Sequence, residues 1–396
     1  MSAEQPRVES HRPDQPRRDQ TEHGGRAHDQ QAHDLGPAAD VGRWFATATR
    51  PSAPVAPPTD AASAPNPTAS TPAFASRTGP PRTGRGLPRM PAWGRVDGGD
   101  YGRTSPPEVV AAALEQLSGR RVAVLTGAGM STASGLPDYR GADAVPRAPM
   151  TVQEFLGSDL SRRRYWARST IGWAHFARAR PNRAHRLLAA LDGPAFTTTA
   201  VITQNVDALH QAGGSREVID LHGRLDTVRC MSCCARSSRE RLHARLLQLN
   251  PQVAGRLESL VADAAQAPDG DAEVDRTADF RYPPCPLCGG ILKPDVVFFG
   301  EAADPGAVAA AYAAVDRAQA LLVLGSSLTV QSGLRLVRAA ERAGAPVVIV
   351  NDGPTRADGR SPVRVHGRLE GVLDAWSRDS GIADVARRVM LDTRSA

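Results

Sequence analysis

The sequence has little of several features, and each shortage excludes a class of protein. It contains no run of about 18 or more apolar residues, so no transmembrane helix is predicted. Its first 20 residues lack the apolar segment of a secretory signal. Acidic residues such as Glu4 and Asp14 are untypical of an organellar transit peptide. We therefore expect a cytoplasmic protein without a membrane partner, with the mitochondrial matrix as the alternative location.

Clustered positive charge is also missing. The net charge is +6, but the excess is spread along the chain, so the sequence does not favour a nucleic-acid partner. Lys293 is the only lysine, and arginine supplies the rest of the Lys and Arg count. This imbalance reflects compositional bias and indicates no function.

Cysteine is scarce but patterned. Four of the 5 cysteines form two Cys-x-x-Cys pairs, Cys230/Cys233 and Cys285/Cys288. This spacing is typical of two knuckles that present four thiolates to a tetrahedral zinc ion in a reducing compartment. Because four thiolates leave no open coordination position, we predict one structural zinc ion that takes no part in chemistry. Cys234 is interpreted as a neighbour on the knuckle that could compete for the metal.

The N-terminal quarter differs in composition from the rest. Residues 1–103 are polar, rich in Pro, Ala and Ser, and poor in aromatic residues. Such a segment buries too little apolar surface to offset its ordering entropy, so we predict a disordered extension. The alternative is that translation starts downstream, for instance near Met90.

Apolar strands alternate with amphipathic helices from residue 104 onward. A Ser-Pro-Pro signal at Ser105 predicts a first helix, and a capping box at Thr151–Glu154 opens helical segments through Phe176. Strands separated by helices of this length predict an α/β fold with a doubly wound, parallel, Rossmann-like sheet. The predicted strands lie at 121–125, 200–203, 295–299, 320–324 and 346–350, with another beginning at Val218.

Polar residues follow several of these strands directly. Gly127 and Gly129 come just after the first strand, where glycine lets a backbone approach a phosphate and a following helix would offer free N–H groups. The spacing is not that of a dehydrogenase, and the turn continues into Pro-Asp-Tyr-Arg. His222 ends another strand on the cleft side, and a cleft imidazole accepts protons near neutral pH. One cleft beyond the carboxyl ends of the strands could gather these groups.

Together, these motifs resemble the sirtuins over about residues 104–374, and most closely their class II, lipoamidase-like branch. The motifs that carry the resemblance appear in the family's order: Gly127–Ser131, Gly135–Arg140, Thr203–His210, His222-Gly223, the four paired cysteines, Lys293–Glu301 and Gly325–Ser327. The branch is suggested by Arg164–Arg168, Ile171–Trp173 and Gly353–Arg356.

The resemblance implies an NAD-dependent protein lysine deacylase that transfers the acyl group to ADP-ribose and releases nicotinamide. His222 would be the general base, helped by Asn205 and Asp207. Val297 and Phe298 would bind the substrate peptide. Tyr165 with Arg168 would line an acyl pocket that prefers acidic acyl groups, the alternative being a helix on which Arg168 is solvated. The residues implied to bind NAD are Gly127, Ala128, Gly129, Ser131, Pro137, Asp138, Tyr139, Arg140, Gln204, Asn205, Val206, Asp207, Gly325, Ser326, Ser327, Asn351, Asp352, Gly353 and Leu369.

The implied catalytic domain spans residues 104–390. Its large part is expected at 104–142, 191–226 and 294–390, with a helical insertion at 143–190 and a zinc module at 227–293. Acylated-lysine proteins would be the substrates. Two alternatives remain: a protein mono-ADP-ribosyltransferase with the same NAD site, and a zinc-knuckle binding module with a degenerate nucleotide fold. The intact set of Gln204, Asn205, Asp207 and His222 argues against the binding module.

Overall fold

The structure is a computed structural model that describes residues 100–142, 144, 149–263, 277–359 and 363–382. Residues 1–99 of the predicted extension lie outside these residues. None of the helices in the described ranges is long and apolar enough to cross a bilayer.

Six parallel strands form the main sheet, which confirms the predicted fold class. The spatial order is β3-β2-β1-β7-β8-β9, and each neighbouring pair is parallel. The strands are β1 Arg121–Thr126, β2 Thr197–Thr203, β3 Val218–Asp220, β7 Ala320–Leu324, β8 Val347–Asn351 and β9 Val363–His366.

Helices cover both faces of this sheet because its strands are apolar on both sides. In β1, Val122 and Val124 belong to one buried cluster, whereas Ala123 and Leu125 belong to another. The first face is covered by α1 Pro107–Glu115, α4 Arg183–Leu191 and α11 Leu369–Asp379, and the second by α9 Pro305–Arg317 and α10 Gln331–Arg342. Continuous apolar runs are typical of parallel strands buried in this way.

A second, antiparallel sheet holds the cysteine pairs. Strands β4 Gly223–Cys230, β5 Arg236–Ser238 and β6 Leu292–Val296 pair in the order β5-β4-β6. The prediction that a strand at 295–299 joins the parallel sheet is therefore wrong. Apolar residues there pack against the small sheet and the helical insertion, and a short apolar run cannot specify which sheet it joins.

Further helices lie in the insertion after β1, after β2 and after β5. The capping box at Thr151 forms as predicted, with Glu154 N donating to the Thr151 hydroxyl at 3.2 Å. Arg239 joins the two parts, since its guanidinium lies 5.4 and 5.2 Å from the ring centroids of Trp166 and Trp173. The insertion contains α2 Val152–Gly157 and α3 Asp159–Phe176, α5 Leu209–Ala212 follows β2, and the helices after β5 are α6 Arg239–Leu249, α7 Pro251–Ala254 and α8 Leu257–Asp263.

The start of α1 differs in one detail from the prediction. Pro107 occupies the first turn as expected, but the preceding residue is Pro106 and no side chain caps the helix. Ser105 instead accepts a hydrogen bond from His366 N at 2.9 Å. The serine is therefore used to hold the chain against β9.

The turns after β1 and β7 pack on each other where the strand order reverses. Gly129 N donates to Gly325 O at 2.9 Å, and a Cβ at Gly127 would lie 2.8 Å from the same oxygen. Gly325 has a φ of 60°, and a Cβ there would meet Met130 N at 2.6 Å. The helix N-terminus expected after Gly127 and Gly129 does not form, because Ala128–Met130 and Thr132–Ser134 are single 3₁₀ turns. Such a reversal point is the usual ligand site of an open α/β sheet.

Candidate active site

A cavity of about 1230 Å³ opens at this reversal point. It is larger than the usual volume of a small-molecule pocket, about 300–1,000 Å³. Its walls come from the ends of β1, β2, β7 and β8, from the loop after β6 and from the segment between β3 and β4. The sheet thus brings groups that are far apart in sequence to one place.

Hydrogen-bonding side chains cluster at the centre of the cavity. Asn205 Nδ2 donates to Gly127 O and to the Ser131 hydroxyl, both at 3.0 Å. The Ser131 hydroxyl donates to Asp207 Oδ2 at 2.6 Å, and Leu209 N donates to Asp207 Oδ1 at 2.9 Å. Burial raises the pKa of Asp207, although the hydrogen bond from Ser131 opposes this effect.

His222 lies in the same cavity, held by both ring nitrogens. Its Nδ1 is 3.0 Å from Gln204 O, and its Nε2 is 2.9 Å from the Ser332 hydroxyl. Because a carbonyl oxygen can only accept, Nδ1 carries the proton of the neutral ring, and Nε2 is the unprotonated nitrogen that accepts from the Ser332 hydroxyl. Burial lowers the pKa of His222, and the hydrogen bond to Gln204 O partly offsets this. At pH 7 the imidazole is therefore neutral and can take a proton at Nε2.

The segment after Leu136 forms one wall of the cavity. Pro137, Asp138, Tyr139 and Arg140 all line it. Asp138 Oδ1 accepts the N–H groups of Arg140 at 3.2 Å and Gly141 at 2.5 Å, which fixes the turn from within.

The opposite wall follows β7 and β8. Gln204 Oε1 accepts from the Ser326 hydroxyl at 2.8 Å. This hydrogen bond holds Gln204, which follows β2, against the turn after β7. Gly353 is the one residue of the implied NAD set that does not line the cavity. The residues of this wall and floor that do line it are Ala128, Gly129, Val206, Gly325, Ser326, Ser327, Asn351, Asp352 and Leu369.

The loop after β6 passes directly beside His222. Val297 N donates to His222 O at 2.8 Å, and Phe298 follows in the cavity wall. The Phe298 ring lies 5.1 Å from that of Tyr165 and 5.3 Å from that of Phe155, measured between centroids. Tyr165 lines the cavity, whereas Arg168 is half-buried and does not.

The four paired cysteines converge as predicted. Their sulfur atoms lie within 4.8 Å of one another, with Cys230 and Cys288 at 3.5 Å and Cys233 and Cys285 at 3.8 Å. With Zn–S bonds of about 2.3 Å, a tetrahedral zinc ion needs sulfurs about 3.8 Å apart. The donor set and spacing fit one structural zinc ion, and exposed Cys234 lies outside the cluster.

Comparisons with known proteins agree with this geometry. A family model described as the Sir2 family matches residues 127–332. The chain is 52% identical over 272 residues to the NAD-dependent protein deacetylase 1 of Mycobacterium avium (strain 104), covering 69% of this chain and 94% of that protein. The chain belongs to the Sir2 family. A second Sir2 relative, the NAD-dependent protein deacetylase 1 of Streptomyces coelicolor, is 51% identical over 260 residues, or 65% of this chain and 85% of that protein.

Solved Sir2 structures have the same fold. The structure described as "Sir2 bound to acetylated peptide" covers 70% of this chain and 100% of its own, with a TM-score of 0.54 and 28% identity. That of "Sir2-p53 peptide-NAD+" covers the same shares, with a TM-score of 0.51 and 29% identity.

The residues present in this Sir2 site fit NAD. Glycine backbone, hydroxyl and amide groups line the centre, and Arg140, Arg335 and Arg368 add cations at the walls. These groups suit ribose hydroxyls, a carboxamide and a pyrophosphate, and the cavity volume leaves room for a dinucleotide. The sequence-based predictions of NAD, of one structural zinc ion and of the family are confirmed.

Single-residue roles and the class II branch remain predictions. Sequence reasoning missed Ser332, which holds the reactive nitrogen of His222. It also missed Tyr101, whose ring packs against Gly353. Neither residue lies in a recognisable motif, so the sequence carried no signal for them.

Proposed function

We propose that this chain is an NAD-dependent protein lysine deacylase whose general base is His222. The observation that supports this proposal best is that His222 Nε2, a neutral acceptor, lies in the NAD-sized cavity beside Val297 and Phe298. Acyl-lysine proteins are the proposed substrates, since relatives are named protein deacetylases and one solved Sir2 structure holds an acetylated peptide. Mono-ADP-ribosyl transfer is not favoured by these relatives.

The roles of the side chains follow from their positions. NAD, when bound, supplies a ribose carbon from which nicotinamide leaves and to which the acyl oxygen bonds. Gln204 and Asn205 would orient the ribose and the carboxamide, and Asp207 would hold Asn205 through the Ser131 hydroxyl. His222 Nε2 would accept a proton from a ribose hydroxyl, directly or by relay, with Ser332 giving up its own hydrogen bond. The hydroxyl oxygen would then bond to the acyl carbon, and uptake of one water molecule would release the lysine amine. The products are free lysine, nicotinamide and O-acyl-ADP-ribose.

The substrate would enter as an extended strand beside Val297. The backbone N–H of Val297 is used by His222 O, so the loop position and the base position are coupled. Addition of a peptide strand to an exposed edge is a common mode of peptide recognition.

The test is His222→Ala in the full chain. General-base catalysis contributes typically about 10²–10⁴-fold, so acetyl-peptide turnover should fall by about that factor while NAD affinity is kept. Turnover equal to wild type would refute the role of His222. Mass spectrometry of the products separates the two enzyme classes: O-acyl-ADP-ribose indicates deacylation, and an ADP-ribosylated protein indicates the transferase.

A further inference from the structure

A short segment before α1 lies against the edge of the cavity. We call residues 100–105 the N-terminal strap. At its end, Ser105 N donates to His366 O at 2.8 Å, and His366 N donates to the Ser105 hydroxyl at 2.9 Å. The strap is therefore anchored to the last residue of β9 by two hydrogen bonds.

Farther along, the strap bonds to both walls of the cavity. The Tyr101 hydroxyl donates to Arg140 O at 2.9 Å, in the segment that follows β1. Gly102 N donates to Asp352 Oδ1 at 2.7 Å, just after β8. Arg140 and Asp352 both line the cavity, so adjacent strap residues join two walls that are more than 200 positions apart in sequence.

The ring of Tyr101 also occupies a space made for it. Gly353 has a φ of 88°, and a Cβ there would lie 2.4 Å from Tyr101 Cε1. The backbone at Gly353 is held by Asn351 Nδ2, which donates to Gly353 O at 3.1 Å. Tyr101 thus packs on the wall that contains Asn351 and Asp352 while its hydroxyl holds the facing wall.

The hydrogen bond of Tyr101 acts on the position of Arg140. The bonds of Asp138 fix the Arg140 turn to itself, whereas Tyr101 fixes it to the strap. Arg140 is a half-buried cation that lines the cavity at the turn after β1, where a pyrophosphate would be a suitable partner. Releasing its carbonyl would let the turn and its guanidinium move away from that position.

We propose that Tyr101 is a positioning residue for NAD, acting through its hydrogen bond to Arg140 O and its packing on Gly353 to hold the two cavity walls at the spacing that NAD requires. This inference rests on the proposed function for its substrate. It extends the NAD site to a residue that does not line the cavity.

The test is Tyr101→Phe in the full chain, because it keeps the ring on Gly353 and removes only the hydroxyl. We expect KM for NAD to rise about fivefold, which corresponds to about 1 kcal/mol at 1.4 kcal/mol per tenfold change. KM for the acyl peptide and kcat should stay within about twofold, since the hydroxyl bonds to Arg140 O and Tyr101 does not line the cavity that holds His222. The matched control is Tyr282→Phe, which removes a hydroxyl that binds Arg162 and Asp159 away from the cavity.

The kinetic split decides between positioning and general stability. An unchanged KM for NAD in Tyr101→Phe, or an equal rise in the control, overturns the proposal, as does a fall in kcat alone. NAD dissociation constants of wild type and variant, measured by calorimetry without peptide, give a second comparison. If the wild type released no deacylated peptide, the proposed function would fail, yet a fivefold weaker NAD affinity in Tyr101→Phe would still support the strap.

Discussion

At the scale of single side chains, the role of Arg168 determines which acyl groups the pocket is expected to prefer. Tyr165 contributes to the cavity wall, and Arg168 follows one turn later on α3 without lining the cavity. If Arg168 binds an acidic acyl group, Arg168→Met should lower turnover of glutaryl-lysine peptide by about tenfold or more, because charge-assisted hydrogen bonds contribute about 1.5–3 kcal/mol. Acetyl- and lipoyl-lysine peptides should be affected less than twofold.

Steady-state kinetics on the three peptides is the measurement. Wild-type enzyme on each peptide is the control. Equal loss on all three would mean that Arg168 only supports α3, and the preference for acidic acyl groups would then be refuted.

Glu301 keeps a buried cation paired next to the substrate loop. Lys293 Nζ lies 3.1 Å from Glu301 Oε2, and the lysine side chain is only 4% exposed. Glu301 Oε2 also accepts from Phe298 N at 2.9 Å. Glu301→Gln should lower the free energy of unfolding by about 2 kcal/mol, because it leaves the ammonium without its carboxylate.

Urea unfolding of both proteins measures this change. The matched control is Glu217→Gln, since the pair of Glu217 with Arg317 has N and O atoms 3.5 Å apart and both side chains more than half exposed. Exposed pairs contribute little, so the control should change stability by less than about 1 kcal/mol. If both variants lost a similar free energy of unfolding, burial of the Lys293–Glu301 pair would not explain the effect of Glu301→Gln.

At the scale of elements, the zinc cluster holds the small sheet. Cys230 ends β4, and Cys285 is buried in the cluster of apolar residues that also contains Tyr165 and Phe298. Cys285→Ser should abolish the bound zinc and lower the free energy of unfolding by more than about 5 kcal/mol, since structural zinc binds with about 10–16 kcal/mol. Elemental analysis should find one zinc per wild-type chain.

Cys234→Ser is the control for this prediction. Cys234 is exposed and outside the cluster, so its variant should keep one zinc and wild-type stability. Loss of zinc in this variant instead would mean that Cys234 replaces one of the four expected ligands.

The sequence specified elements best where local chemistry determines them. The capping box at Thr151 and the apolar run of β1 act within a few residues, and each forms as predicted. β6 was placed in the wrong sheet because its partner β4 lies more than 60 residues earlier, and pairing at that distance leaves no local signal. β9, a strand of 4 residues, was also missed.

α11 was missed although its pattern was visible. Leu369, Val372, Leu373 and Trp376 recur at helical spacing, and all four are buried in the same cluster.

The residues that line the site were predicted only in part. Motif residues such as Asn205 reached the cavity, whereas Ser332 was invisible because a single serine at a helix start is common.

At the scale of the whole molecule, three buried histidines make stability depend on pH. Burial is the main cause that lowers the pKa of His185 to about 2 and of His210 and His243 to about 4. Their ordinary value is about 6.5, so below that pH the unfolded chain binds more protons than the folded one. Their stabilising effect is complete above pH 6.5 and is lost as the pH falls toward 4.

Unfolding in urea at pH 7.5 and pH 5.5 tests this dependence. We expect stability to be lower at pH 5.5 by about 4 kcal/mol, since each of the three histidines loses up to about 1.4 kcal/mol over the one pH unit below 6.5. His210→Gln should show a shallower slope, while protonation of the zinc ligands affects both proteins equally. Equal slopes of stability against pH in the wild type and in His210→Gln would show that His210 does not contribute to this dependence.

The burial of Lys293 affects how the protein reacts with reagents that modify amines. It is the only lysine in the sequence, and its ammonium is enclosed by Val296 O, Pro294 O and Glu301. A deacylase built in this way offers no accessible lysine side chain for its own acylation. Amine-reactive reagents should leave Lys293 unlabelled in the native protein and modify it after denaturation, so that peptide mapping reports unfolding at a single residue.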